Sequence, residues 1–199
     1  MKIIKQSVEL LRITEHAEKL IEKAARTCYQ SFDKQTEDSY KRLIKHLIQL
    51  GHHSVLEHAS ATFKIITNRA ISHEIVRHRI ASYSQESTRY CAYKDNIEVI
   101  VPYDIEKIPD AFNLWKKEVK NIEKTYKELL LKGISPQHAR DILPNCLATQ
   151  LIMTANLREW RYFIKLRNSK QAHPQIRQIA KDILNILYEK CPVIFEDLI

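Results

Sequence analysis

Only two glycines, Gly51 and Gly133, occur in the 199 residues of this chain, against an average usage of about 7%. Glycine lets a backbone turn through positive φ and come close to a phosphate. A chain this poor in it holds neither the G-x-G-x-x-G turn of a dinucleotide-binding sheet nor a glycine-rich P-loop. Any phosphate bound here must instead be held by arginines, hydroxyls and helix N-termini. This argues against Rossmann dehydrogenases and P-loop kinases.

The cations and hydroxyls that such binding needs are concentrated in one stretch. Residues Arg77 to Tyr90 hold three arginines, one histidine and six hydroxyl side chains in fourteen positions. Ala70 to Val76 reads as a helix, and successive helix positions are about 100° apart. Arg77, His78 and Arg79 therefore cannot share one face of a continuing helix, and a helix end opening into a Ser/Thr/Gln-rich loop would let them converge on an anion. A solvated basic face or a nucleic-acid patch fits the same spacing.

Composition narrows the setting. No linker, repeat or low-complexity tract divides the chain, so residues 1–199 are expected to form a single domain. The net charge of +8 favours an anionic partner without choosing among nucleic acid, nucleotide and phosphorylated cofactor. Cys28, Cys91, Cys146 and Cys191 form neither a C-x-x-C pair nor a dense disulfide framework, which points to a reducing, cytoplasmic location. The first residues lack the apolar core of a signal peptide, and no stretch approaches the roughly 20 apolar residues of a membrane span.

Apolar spacing predicts helices over Thr14–Thr27 and Thr36–Leu50, with Gly51 as C-cap of the second. Ala59–Thr67 alternates as a strand does, Ile97–Val101 is a short β-branched run stopped by Pro102, and Lys2–Leu10 gives a third strand. From Asp110 to Leu131, Phe112, Trp115, Val119, Ile122, Tyr126 and Leu129 form a helical stripe closed by Gly133, which reads as core or subunit contact. Asn156 is placed to cap a helix ending at Arg167, and Pro174 to start another with Ile176, Ile179, Ile183 and Ile186 inward. The fold class is α+β, helix-rich, around a small and mainly antiparallel sheet.

His52, His53, His58, His73 and His78 raise a metal hypothesis that their spacing opposes, since no pair sits on one helix face as H-E-x-x-H would require. His52 follows the Gly51 turn, where a functional residue and a backbone-bonded loop histidine are both at home. Arg167 lies on the apolar stripe of its helix, seven residues after Trp160, and a guanidinium there must find a partner or point into a ligand site. Arg140 and Arg158 extend the cationic reach.

Arg77-His78-Arg79, seven residues and then Ser87 resembles the signature of the flavin-dependent thymidylate synthases. The likeness continues through Gly51-His52, Glu57-His58, Ser87-Thr88-Arg89-Tyr90, Ala139-Arg140 before Leu143-Pro144, Asn156-Leu157-Arg158 and Leu166-Arg167, all in the family's order. It spans about residues 24–195. What it implies is methylation of dUMP to dTMP, with 5,10-methylenetetrahydrofolate as carbon donor, FAD as cofactor and hydride donor, and NADPH as reductant of the flavin. It also implies a homotetramer with active sites between subunits, and no nucleic-acid or membrane partner.

By family position Ser54, Arg77, His78, Arg79, Gln85, Asn156, Leu157, Arg158 and Tyr162 would bind FAD. Glu74, Arg77, Gln85, Glu86, Ser87, Thr88, Arg89, Arg140 and Arg167 would hold dUMP. Arg167 would stabilise the uracil N3 anion, and His52 would lie near folate and flavin; these two are the catalytic candidates, with no metal. Ser87 has no recognisable relay and is assigned to dUMP, not to nucleophilic attack. Glu74 stands where some relatives carry glutamine, and Tyr162 where others carry asparagine or histidine.

Overall fold

The computed structural model describes residues 1–199. In chain order the elements are β1 (Lys2–Ile3), β2 (Ser7–Ile13), α1 (Ala17–Thr27), α2 (Ser39–Gln49), β3 (Ser60–Asn68), α3 (Arg69–Ile75), β4 (Ala81–Gln85), β5 (Glu98–Val99), α4 (Pro109–Leu131), α5 (Pro136–Ala139), β6 (Ala148–Asn156), α6 (Leu157–Arg167), α7 (Pro174–Lys190) and α8 (Pro192–Phe195), with short 3-10 turns between some of them. Four of the six prolines stand at a helix start, where the missing N–H has no intrahelical partner to lose.

Both glycines end helices. Gly51 (φ +75°) and Gly133 (φ +83°) follow α2 and α4 in the left-handed conformation. Gly51 N–H donates to Ile48 O and His52 N–H to Leu47 O, and Gly133 N–H donates to Leu130 O and Ile134 N–H to Leu129 O. These are two Schellman caps, in which C′ must take positive φ. The first sets His52 at the start of the turn that leads into β3.

A four-stranded sheet runs in the order β2-β3-β6-β4, and a separate two-stranded sheet pairs β1 with β5 in parallel. Backbone bonds from Thr14 N–H to Ser60 O and from Leu157 N–H to Ala59 O join strand ends running in opposite directions, so β2-β3 and β3-β6 are antiparallel. The helix-rich α+β expectation with a small antiparallel sheet holds.

Several boundaries differ from the sequence expectations. Lys2–Leu10 is broken into β1 and β2, and α1 begins at Ala17 because His16 takes a left-handed conformation (φ 49°). Ile97–Val101 pairs only over two residues. Residues 81–85, expected in a loop, form strand β4, and β6 was not anticipated.

By backbone contacts the chain divides into two units. The first comprises Met1–Ser7, Ile65–Arg77 and Ser84–Leu151; the second comprises Val8–Lys64, His78–Tyr83 and Ile152–Ile199. The core of the first gathers Ile97, Val99, Val119, Cys146 and Leu147, with Trp115 and Tyr93 packed against them. Of the predicted α4 stripe, Val119 and Tyr126 are buried core, while Phe112, Trp115, Ile122 and Leu129 are half-buried. In the second unit α6 packs on α7, α7 on α8, α8 on α2, and α2 on α1. Its centre is Trp160, edge-on to Phe63 (5.0 Å) and Phe163 (5.6 Å), with its indole N–H donating to Ala61 O at 3.0 Å. Burying each such ring contributes roughly 2–3 kcal/mol.

Candidate active site

In the second unit, Asn156 ends β6 and caps α6, its side-chain oxygen accepting the Glu159 N–H at 2.9 Å. The helix then presents residues of one side to a cavity of about 540 Å³, whose walls include Asn156, Arg158, Tyr162, Lys165, His53 and Ile80. Asn156, Arg158 and Tyr162 were expected from the sequence. The others were not, because nothing in the local pattern of His53, Ile80 or Lys165 separates them from surface residues. Arg158 pairs with Glu57 at 2.5 Å, but both ends are about half exposed, so the pair adds little and can yield to a ligand.

His78 is buried, and both ring nitrogens are engaged. Nδ1 lies 3.0 Å from Glu159 Oε1, and Nε2 accepts from Arg167 Nε–H at 3.1 Å. The ring packs 4.8 Å from Phe163 and 5.6 Å from Tyr162, and the Tyr83 hydroxyl donates to the His78 carbonyl at 2.7 Å. Burial first and the Arg167 charge second push the imidazole below its usual pKa, against an opposing pull from Glu159. Burial also pushes the Tyr83 phenol up to about 12.

The remaining second-unit candidates are less enclosed. His52, Ser54 and Arg79 are exposed, Arg167 is half-buried, and Leu157 is wholly buried with its N–H donating to Ala59 O, so its side chain serves the core. Arg161, missed from the sequence, is buried and bonds both carboxylate oxygens of Asp197 at 2.6 Å each as well as the Ile194 carbonyl. It ties α6 to the end of the chain.

The first unit gathers the other candidates. The side chain of Asn68 caps α3, and Glu74 is half-buried on that helix, while Arg77 beyond its end is exposed. Gln85 donates to Ser72 Oγ (3.0 Å) and Thr149 Oγ1 (3.2 Å). Glu86 accepts from the Tyr93 hydroxyl at 2.5 Å, and Arg69 reaches the Glu86 carbonyl at 3.3 Å. Burial leads the rise in the Tyr93 pKa, and Glu86 adds to it. Arg140 donates to the buried Thr88 hydroxyl at 3.4 Å. Arg89 contacts Gln137 Oε1 at 3.2 Å and lies over the Tyr90 ring, while Ser87 Oγ accepts the Arg89 N–H at 3.3 Å. Gln85 to Arg89 thus form an ordered, polar run with arginines on it. Arg69, Ser72, Thr149, Tyr93 and Gln137 went unnoticed as its supports, and Thr149 lies on the unanticipated β6.

No three His, Cys, Asp or Glu side chains converge as a metal site, and no helix is long and apolar enough to cross a membrane.

A family model described as "Thymidylate synthase complementing protein" matches residues 9–193. A flavin-dependent thymidylate synthase of Mycobacteroides abscessus is 39% identical over 199 aligned positions, covering 89% of this chain and 78% of that protein. The chain belongs to the flavin-dependent thymidylate synthase family. A flavin-dependent thymidylate synthase of Pyrococcus abyssi is 40% identical over 78% of this chain and 65% of its own length. The fold of a UMP/dUMP methylase, PolB from Streptomyces cacaoi, solved with 5-Br dUMP, superposes with a TM-score of 0.88 at 24% identity, covering 98% of this chain and 96% of that one. As a flavin-dependent thymidylate synthase the chain is an enzyme of the methyltransferase class that works with a flavin.

Proposed function

We propose that this flavin-dependent thymidylate synthase converts dUMP to dTMP, taking the one-carbon unit from 5,10-methylenetetrahydrofolate and reducing equivalents from NADPH through FAD. The observation that carries the reading is Arg167, a half-buried arginine at the end of α6 whose Nε–H is held by buried His78. An arginine so placed is a preorganised cation for charge that develops on a substrate ring.

The second-unit cavity suits a dinucleotide in chemistry and size. At about 540 Å³ it falls within the range of small-ligand sites. Arg158 and Lys165 offer cationic donors for a pyrophosphate, and Ile80 with the exposed face of Tyr162 offers apolar surface for a ring. Asn156, Arg158, Tyr162, Ser54, His78 and Arg79, with Arg77, Gln85 and the Leu157 backbone, are assigned to FAD. Held by these residues and reduced, FAD would supply the hydride.

The chain's own residues do the rest. Arg140, Arg89 and the Ser87 and Thr88 hydroxyls bind the phosphate and sugar of dUMP, with Glu74, Gln85 and Glu86 orienting the base side. Arg167 stabilises negative charge on the uracil ring, which raises electron density at C5. His52 sits on an exposed turn from which it orients the folate. Exposed Ile80, Tyr162 and Leu166 are apolar surface suited to being covered in a homotetramer with active sites at subunit interfaces, working in the cytoplasm and without nucleic acid or membrane. A turnover assay with dUMP, methylenetetrahydrofolate, NADPH and FAD should yield dTMP; dUMP left unconsumed by a protein that has taken up FAD would overturn the substrate assignment.

A further inference from the structure

We infer that Glu159 is a positioning residue for this reaction: through His78 it fixes the tautomer that holds the Arg167 guanidinium in one orientation. The inference rests on the substrate-activating role proposed above for Arg167.

A guanidinium Nε–H only donates, so the His78 Nε2 facing it at 3.1 Å is an unprotonated acceptor. The single imidazole proton is then on Nδ1, and it donates to Glu159 Oε1 at 3.0 Å. Were Glu159 absent, the buried Nδ1–H would lose its acceptor and only the Arg167 contact would hold the ring against the second tautomer, which sets an N–H against the Arg167 N–H.

Helix geometry makes the relay specific. Glu159, Phe163 and Arg167 recur every four residues on α6, so they form one stripe, and Glu159 is separated from Arg167 by roughly 12 Å of helix. They cannot meet directly. The His78 ring lies over the middle of that stripe, 4.8 Å from Phe163, and connects its two ends. Glu159 is itself anchored, since its N–H is the one that Asn156 caps. In the usual capping box a glutamate three residues after the cap turns back to the cap's N–H; here the carboxylate faces His78. The first turn of a helix also favours its negative charge.

The gain lies at Arg167. A guanidinium is planar, so fixing its Nε–H direction limits where its amino edge points, and displacement by about 1 Å can lower a rate on the order of 100-fold.

The test begins with the wild-type holoenzyme, labelled with ¹⁵N in its histidines. Proton–nitrogen correlation should show His78 neutral, with Nδ1 protonated and Nε2 bare. An Nε2–H tautomer or an imidazolium at neutral pH overturns the relay, whatever the activity. Steady-state kinetics supply the second reading. Glu159→Gln keeps an oxygen acceptor for Nδ1–H and should lose less than about 10-fold in kcat. Glu159→Ala should lose about 100-fold in kcat, with flavin content retained and KM for dUMP changed only a few-fold. A flavin-loaded Glu159→Ala enzyme with kcat within about twofold of wild type also overturns it. If the wild type makes no dTMP yet shows the Nδ1–H tautomer, the functional reading fails while the tautomer assignment stands.

Discussion

Replacing Arg167 by lysine keeps the charge and loses the planar fork. An ammonium carries no rigid Nε–H edge, so the contact at 3.1 Å with His78 Nε2 cannot hold it in a fixed plane. Arg167→Lys should lower kcat by roughly 10²-fold or more while leaving flavin uptake near normal, and Arg167→Ala should abolish dTMP formation; kcat and bound-flavin absorbance measured on the same samples check both. Ser87→Ala should retain measurable activity, since the hydroxyl contacts the Arg89 N–H; a covalent Ser87–dUMP adduct in mass spectrometry would contradict this.

His78 also sets an acid limit. Its imidazole is held below the usual value by burial and then by Arg167, while Glu159 and Arg167 face it from α6 and Tyr83 from β4. Because the folded chain prefers neutral His78, the unfolded chain takes up the proton first as pH falls. The stability from this site is therefore complete above about pH 6.5, the ordinary imidazole value. It is lost as pH falls toward the lowered folded value. Urea midpoints across that window should decline with acid in the wild type and decline less in His78→Gln. At this scale Arg167 was legible in the sequence, because an arginine on an apolar stripe demands a partner. That the partner is His78, 89 residues away, was not, since no local spacing encodes a long-range hydrogen bond.

At the level of elements, stability turns on caps and on an ion pair with one buried end. Asn156→Ala removes the side-chain acceptor at the start of α6 and should cost about 1 kcal/mol in denaturant unfolding. Gly133→Ala should cost a similar amount, about 1 kcal/mol; an added Cβ meets nothing within 4 Å, so the penalty is the φ of +83°. Asp197→Asn leaves Arg161, 3% exposed in its side chain, without its carboxylate. Asp197 itself is 43% exposed, so water takes up part of the loss, and about 2 kcal/mol is expected. Arg161 holds the Asp197 carboxyl below its ordinary range. That contribution is present above the unfolded carboxyl's value and disappears as pH falls through the folded one.

The caps were the most legible elements, since Asn156, Gly51, Gly133 and Pro174 act on backbone within a few residues of themselves. The two missed strands show the opposite case. Ala81-Ser82-Tyr83-Ser84-Gln85 is too polar to read as a strand, and Ala148–Asn156 carries alanine, glutamine, leucine and methionine, which favour helix. Both become strands through sheet pairing, a tertiary effect that propensity does not contain.

For the whole molecule, the scarcity of glycine rules out a glycine-rich phosphate cradle and the net charge of +8 favours an anionic ligand, and the family match over residues 9–193 supplies the chemistry. The ordered motifs that carried the family assignment fall at the end of α2, the Arg77–Arg89 segment, the end of α5, the capped start of α6 and its end. The supports around them, such as Glu159 with His78 and Arg69 with Glu86, came only from the fold. The measurement that tests the account most directly is turnover of dUMP by the purified enzyme, with and without added FAD, in the presence of methylenetetrahydrofolate and NADPH. A visible flavin spectrum should shift on adding dUMP, and dTMP should form only when flavin is bound. A colourless protein that takes up neither FAD nor dUMP, and forms no dTMP, would contradict it.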